Sequence, residues 1–139
     1  GGDETLVSYG TPSRPGNLDS IPESHWRFLE TRCRKLYEEE GRFFVHAGVY
    51  PDRDLNDQTD LVMLWARIED TASHQSGKRM ICGHTPQQSG RPLVLDYAIC
   101  LDTWVFGGGW LTCLDPDSGR YWQANRHGKT RRGRLRGWR

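Results

Sequence analysis

The chain lacks any long apolar run. The longest, Leu93 to Leu101, has nine residues and contains Asp96, whereas a membrane helix needs about 20 consecutive, mostly apolar residues. The first residues, Gly1 to Glu4, have neither the basic nor the apolar segment of a secretory signal. The sequence therefore predicts neither a membrane span nor secretion.

Cysteine is scarce and scattered. The four thiols share no Cys-x-x-Cys spacing and no tight disulfide framework, and they lie at Cys33, Cys82, Cys100 and Cys113. The last three sit inside apolar runs, which favours reduced, buried thiols. We therefore expect a cytoplasmic protein.

Aliphatic residues are also few, since only 35% of the 139 residues are hydrophobic. Six Trp, five Tyr and four Phe compensate, because each aromatic side chain buries a large area. This length and composition predict one folded domain and exclude disorder of the whole chain.

Acidic residues are absent from the C-terminal segment. Residues 126–139 hold seven Lys or Arg and no Asp or Glu, whereas residues 1–125 carry 12 basic and 18 acidic side chains. We expect residues 1–125 to form the domain and residues 126–139 to be a basic, disordered tail. Such a tail has the charge density to bind nucleic acid or an acidic partner.

Periodicity and turn signals predict a mixed α+β fold. Ser20 and Glu23 have the spacing of a capping box that starts a helix near 20–32, and a second helix is expected at 57–68. Residues 6–19 are expected to be irregular. Strands are predicted at 35–37, 42–45, 79–82, 93–96, 98–101, 105–106, 110–114 and 120–124.

Two histidines follow predicted strands. His46 comes directly after the apolar run 42–45, and His84 comes after 79–82 and Gly83. Side chains at strand ends often carry chemistry, so the two form a candidate metal pair. The alternative is that each histidine is a hydrogen-bonded structural group.

Four ordered motifs resemble the C-terminal half of the calcineurin-like metallophosphoesterases. Within that family they are most similar to the bacterial serine/threonine protein phosphatases and the symmetrical dinucleoside tetraphosphatases. The motifs are Phe44-Val45-His46-Ala47-Gly48, Leu64-Trp65-Ala66-Arg67, Cys82-Gly83-His84-Thr85-Pro86, and Leu101-Asp102-Thr103 with Phe106-Gly107-Gly108.

The resemblance implies a layered β-sandwich flanked by helices, of which this chain is the C-terminal portion. It implies hydrolysis of phosphate monoesters with two divalent ions, manganese first and iron or zinc as alternatives. His46 and His84 match histidines that ligate one ion, and Arg67 matches the arginine that grips phosphate oxygens. Asp102 is expected to support a ligand or to fix a loop rather than to bind metal.

The chain departs from the family's pattern upstream. It contains none of the motifs Gly-Asp-x-His-Gly, Gly-Asp-x-x-Asp-Arg-Gly or Gly-Asn-His-(Glu/Asp). Two imidazoles do not complete a two-metal centre, so we expect the chain to be inactive without a missing N-terminal half. The resemblance implies a phosphorylated protein or a dinucleoside polyphosphate as the substrate. The alternative function is a non-catalytic, phosphatase-like module that docks through its basic tail.

Overall fold

Two compact units, residues 1–34 and 35–139, divide the chain in the computed structural model. The structure describes residues 2–10, 14 and 16–137. They form three α-helices and eight strands in two sheets, which confirms the α+β class. The boundary after residue 34 differs from the single domain expected over 1–125. Among the described helices, none is long and apolar enough to cross a membrane.

The first unit contains helices α1 (Gly2–Ser8) and α2 (Glu23–Arg32). Helix α1 replaces the first part of the irregular segment expected at 6–19. Helix α2 confirms the predicted helix, but the proposed cap is wrong, because Pro22 is the N-cap and makes no side-chain hydrogen bond. Ser20 instead exchanges hydrogen bonds with Asn17 around a short 3₁₀ turn.

The second unit is built on a five-stranded sheet with the order β1-β2-β3-β5-β4. The three central strands are parallel, and each edge strand runs antiparallel to its neighbour. Strands β2 to β5 lie within predicted strand segments, whereas β1 overlaps the predicted segment 35–37 and continues to Glu39. Their bounds are β1 Leu36–Glu39, β2 Arg42–Val45, β3 Arg79–Cys82, β4 Leu93–Val94 and β5 Ala98–Cys100.

A second, antiparallel sheet has the order β6-β7-β8. Strands β6 (Leu111–Leu114) and β7 (Arg120–Ala124) were predicted, whereas β8 (Thr130–Arg134) lies in the segment expected to be disordered. Strand β8 pairs with β7 along its whole length, so that expectation is wrong for these residues. Residues 138 and 139 of the basic segment lie outside the described part of the chain.

Local chemistry explains why a basic segment forms this strand. The Asn125 side chain accepts hydrogen bonds from the backbone N–H groups of His127 and Lys129, which closes the turn between β7 and β8. Gly133 then leaves room for the Tyr121 ring, since a Cβ atom there would lie 2.5 Å from it. The last residue of the segment to pack is Leu135, which is only 6% exposed.

Both faces of the central sheet are covered, as parallel strands require. One face packs against helix α3 (Asp60–Trp65) and the loop after it. The other face packs against the three-stranded sheet through a cluster formed by Phe44, Ile81, Ile99, Leu101, Leu114, Tyr121 and Leu135. The second unit is thus layered as helix and loops, central sheet, and small sheet.

Two segments differ from their predicted conformation. Helix α3 is shorter than the predicted helix at 57–68 and begins after Thr59, whose side chain accepts from the Val62 N–H group. The strand predicted at 105–106 is wrong, because Val105–Gly107 is a 3₁₀ turn. Thr103 pairs with Trp110 across this turn, so the chain must reverse within six residues.

The packing of Leu135 predicts the stability of the C-terminal strand. We expect Leu135→Ala to lower the free energy of unfolding by about 2–5 kcal/mol, because it empties a buried site between the two sheets. The matched control Leu111→Ala lies on the opposite face of the small sheet, where Leu111 is 64% exposed, and should cost less than about 1 kcal/mol. Urea unfolding followed by circular dichroism measures both. Equal, small effects would contradict the docking of residues 130–135.

Candidate functional site

The candidate site lies where two neighbouring parallel strands end. Strand β2 leads directly into His46, and strand β3 leads through Gly83 into His84. The strands run in register with Phe44 opposite Ile81, so both histidines emerge at the same edge of the sheet. A backbone hydrogen bond of 2.8 Å from Gly83 N to His46 O continues the pairing past the strands.

The two imidazoles face each other. His46 Nε2 lies 3.1 Å from His84 Nδ1, and the ring centroids are 4.9 Å apart. His84 adopts a left-handed backbone conformation with φ of 63°, which a non-glycine residue seldom takes.

The spacing of the two nitrogens fits ligation of a common metal ion. Imidazole nitrogens bind ions such as zinc at about 2.0–2.1 Å, so two of them on one ion are separated by about 2.8–3.4 Å, from octahedral to tetrahedral angles. The distance of 3.1 Å lies within that range. The same distance also fits a hydrogen bond between two neutral imidazoles, in which one ring donates and the other accepts.

Electrostatics favour neutral imidazole at His46. Burial lowers the pKa of His46 below its ordinary value, the neighbouring His84 lowers it further, and Asp102 acts weakly in the opposite direction. The uncharged form has a free nitrogen lone pair, which metal ligation requires.

Asp102 supports the loop beside the histidines. Its Oδ1 atom accepts a hydrogen bond of 3.0 Å from the Trp104 N–H group, and its backbone carbonyl accepts one of 2.7 Å from Gln87. Trp104 has a left-handed backbone conformation with φ of 64°, which this carboxylate stabilises. Asp102 thus fixes a turn and acts on His46 through its charge.

Arg67 is connected to the histidine loop through the backbone. Its neighbour Ile68 donates its N–H group to the Thr85 hydroxyl at 2.9 Å, next to His84. The Arg67 side chain is 59% exposed, and its Nε atom lies 3.6 Å from Glu69 Oε2. Exposed ion pairs of this kind contribute about 0–1 kcal/mol, so this contact holds the Arg67 side chain only weakly.

Two supporting groups were not predicted from the sequence. The Trp65 ring stands perpendicular to the His84 ring with centroids 5.8 Å apart, and Trp65 belongs to the Leu-Trp-x-Arg motif that supplied Arg67. Behind the histidine loop, the buried Cys100 thiol donates to the carbonyls of Gly83 and Thr85 at 3.3 Å. The sequence signal for Cys100 was its position in an apolar predicted strand, where a thiol is expected to be buried.

The described part of the chain adds no further metal ligands to the histidine pair. Across residues 2–10, 14 and 16–137, no group of three or more His, Cys, Asp or Glu side chains is arranged to hold a metal ion. In comparisons with known proteins, neither a protein-family model nor a curated protein matches this chain.

The proximity of the two rings predicts how His46 titrates. In His84→Ala the pKa of His46 should rise, because a positive neighbour is removed, and in Asp102→Asn it should fall, because a negative one is lost. Nuclear magnetic resonance titration of the imidazole protons measures both directions. His127→Ala, an exposed histidine in the turn between β7 and β8, is the control and should leave the His46 curve unchanged. Identical His46 curves in all variants would mean that the rings do not interact.

Proposed function

We propose that this chain supplies part of the active site of a calcineurin-like metallophosphoesterase that hydrolyses phosphate monoesters, of the serine/threonine protein phosphatase type. The observation that carries the proposal is the 3.1 Å separation of His46 Nε2 and His84 Nδ1 at the ends of parallel strands. These are the two histidines that the motif resemblance assigns as ligands.

The layering of the second unit supports the same proposal. A central sheet with three parallel strands is covered by helix and loops on one face and by a smaller sheet on the other. In the proposal these layers are the C-terminal portion of the metallophosphoesterase sandwich. The activity belongs to a longer protein whose upstream residues provide the remaining ligands.

Each proposed residue has a chemical task. His46 and His84 would hold one ion through neutral ring nitrogens, and a pair of divalent ions, when bound, would lower the pKa of a water molecule that attacks phosphorus. In the proposal the Arg67 side chain breaks its contact with Glu69 and binds phosphate. Its planar guanidinium donates two parallel hydrogen bonds to two phosphate oxygens, which a lysine cannot do. Asp102 keeps the neighbouring turn in place and balances the charge near His46.

Metal binding by the pair is the first test. Titration of the 139-residue chain with Mn²⁺ should broaden resonances selectively around His46 and His84, because a paramagnetic ion relaxes only nearby nuclei. His84→Ala should abolish the selective broadening, since a single imidazole is a weak ligand. His127→Ala is the matched control and should behave as the parent chain does. Uniform or absent broadening in the parent chain would contradict a metal site at the pair.

Hydrolysis is the second test, on the chain joined to its own upstream coding sequence. We expect Mn²⁺-dependent cleavage of p-nitrophenyl phosphate, with none above background in the 139 residues alone. Arg67→Ala should lower kcat/KM by about 100-fold, and Arg67→Lys should recover little, because lysine lacks the forked donors. A phosphoserine peptide and a dinucleoside tetraphosphate distinguish the two substrate classes.

An upstream sequence without Gly-Asp-x-His-Gly, or activity indifferent to Arg67→Ala and His84→Ala, would contradict the catalytic proposal. That result would favour the non-catalytic module.

A further inference from the structure

The small sheet has an outward surface that no other element of the second unit covers. Side chains alternate along each strand, so every second residue points away from the central sheet. Leu111 is 64% exposed and Trp122 is 47% exposed on this side. We define the outer face as the residues Leu111, Cys113, Arg120, Trp122, Ala124, Thr130, Arg132 and Arg134.

The outer face is purely cationic. Its three charged residues are arginines, and the sequence from Ser118 to the end contains eight Lys or Arg and no acidic residue. Arg132 is exposed, and none of the hydrogen bonds or ion pairs of the described residues involves its side chain. Arg134 donates from Nε to the Ser118 carbonyl at 3.1 Å, and Arg120 lies close enough to Asp115 for its charge to lower the pKa of that carboxyl. Each guanidinium has five N–H donors, so these contacts leave others for the oxygens of a polyanion.

Trp122 lies at the centre of this charged surface. The strand register places it opposite Cys113 on one side and Arg132 on the other, and side chains opposite each other lie about 5 Å apart. Arg120 lies on the same strand, about 6.7 Å from Trp122 along the chain. An exposed indole next to guanidinium groups is a platform on which a nucleobase stacks while its phosphates are neutralised.

We propose that the outer face binds single-stranded nucleic acid. Bases stack on Trp122, and Arg120, Arg132 and Arg134 bind the adjoining phosphates. Unpaired bases present their flat faces to a sheet surface, whereas those of a double helix are stacked on one another. An acidic peptide would satisfy the arginines but has no base to place on the indole. The proposal does not depend on phosphatase activity, since its residues belong to the small sheet and the histidines to the central sheet.

Fluorescence anisotropy with a labelled 12-nucleotide oligouridylate tests the proposal on the whole 139-residue chain. Trp122→Ala should weaken binding by about 5- to 150-fold, the range for loss of one stacked base. Trp122→Phe keeps a stacking ring and should retain most of the affinity. An oligothymidylate of the same length determines whether the 2′-hydroxyl contributes.

The arginines are tested by the dependence of affinity on salt. Replacing both Arg120 and Arg132 by Gln should reduce the slope of log affinity against log salt by about 1.4, or about 0.7 for each lost phosphate contact. These substitutions are on exposed residues, so they test the face even where Trp122→Ala disturbs folding. Deletion of residues 126–139 is unsuitable, because it removes strand β8.

Matched controls come from helix α2, where Phe28 is 58% exposed and Arg27 is also exposed. Phe28→Ala and Arg27→Gln should leave affinity and salt slope unchanged. Absence of binding by the parent chain, or equal losses in the control variants, would overturn the proposal. Loss of binding in His84→Ala with none in Trp122→Ala would also overturn it, since the oligonucleotide would then occupy the histidine site. Heparin and unlabelled oligouridylate could also displace the labelled oligonucleotide equally well, in the parent chain and in Trp122→Ala alike. That result would contradict base stacking and show that the outer face binds any polyanion.

Discussion

The parallel pairing of β2 with β3 is the constraint on which the candidate site depends. The register places Phe44 beside Ile81. The C-terminal ends of the two strands therefore lie next to each other. Because side chains alternate along a strand, a shift of one residue would turn every buried side chain of β3 to the opposite face. The packed layers on both faces exclude that shift. The histidine pair is thus held in place by the hydrophobic core.

The left-handed conformation of His84 is tolerated because its neighbours are fixed. The Thr85 side chain is 2% exposed and accepts a hydrogen bond from Ile68, and the Cys100 thiol donates to the carbonyls on either side of His84. An unfavourable backbone conformation of this kind costs about 1–3 kcal/mol and persists only where surrounding contacts determine it. The contacts of Thr85 and Cys100 therefore hold His84 in a conformation that a non-glycine residue seldom adopts.

The apolar runs were sufficient to predict the strands that position the site. Residues 42–45 and 79–82 are short apolar runs bounded by polar or glycine residues, and both became strands of the central sheet. The apolar runs did not predict that β2 pairs with β3, because a helix and long loops separate the two strands in the sequence. Proximity of His46 and His84 follows from that tertiary pairing, which local periodicity does not encode.

Strand β8 was missed for a different physical reason. Its inward position is occupied by Arg131, which breaks the expected pattern of apolar residues facing the core. The guanidinium is accommodated because Nε donates to Gln123 at 2.7 Å, a second nitrogen donates to the Gly90 carbonyl, and the group stacks on Trp110 at 4.1 Å. These contacts satisfy the charge within the fold. The Arg131 guanidinium is therefore held by contacts within the small sheet and its loop, whereas no hydrogen bond or ion pair among the described residues involves the Arg132 side chain on the outer face.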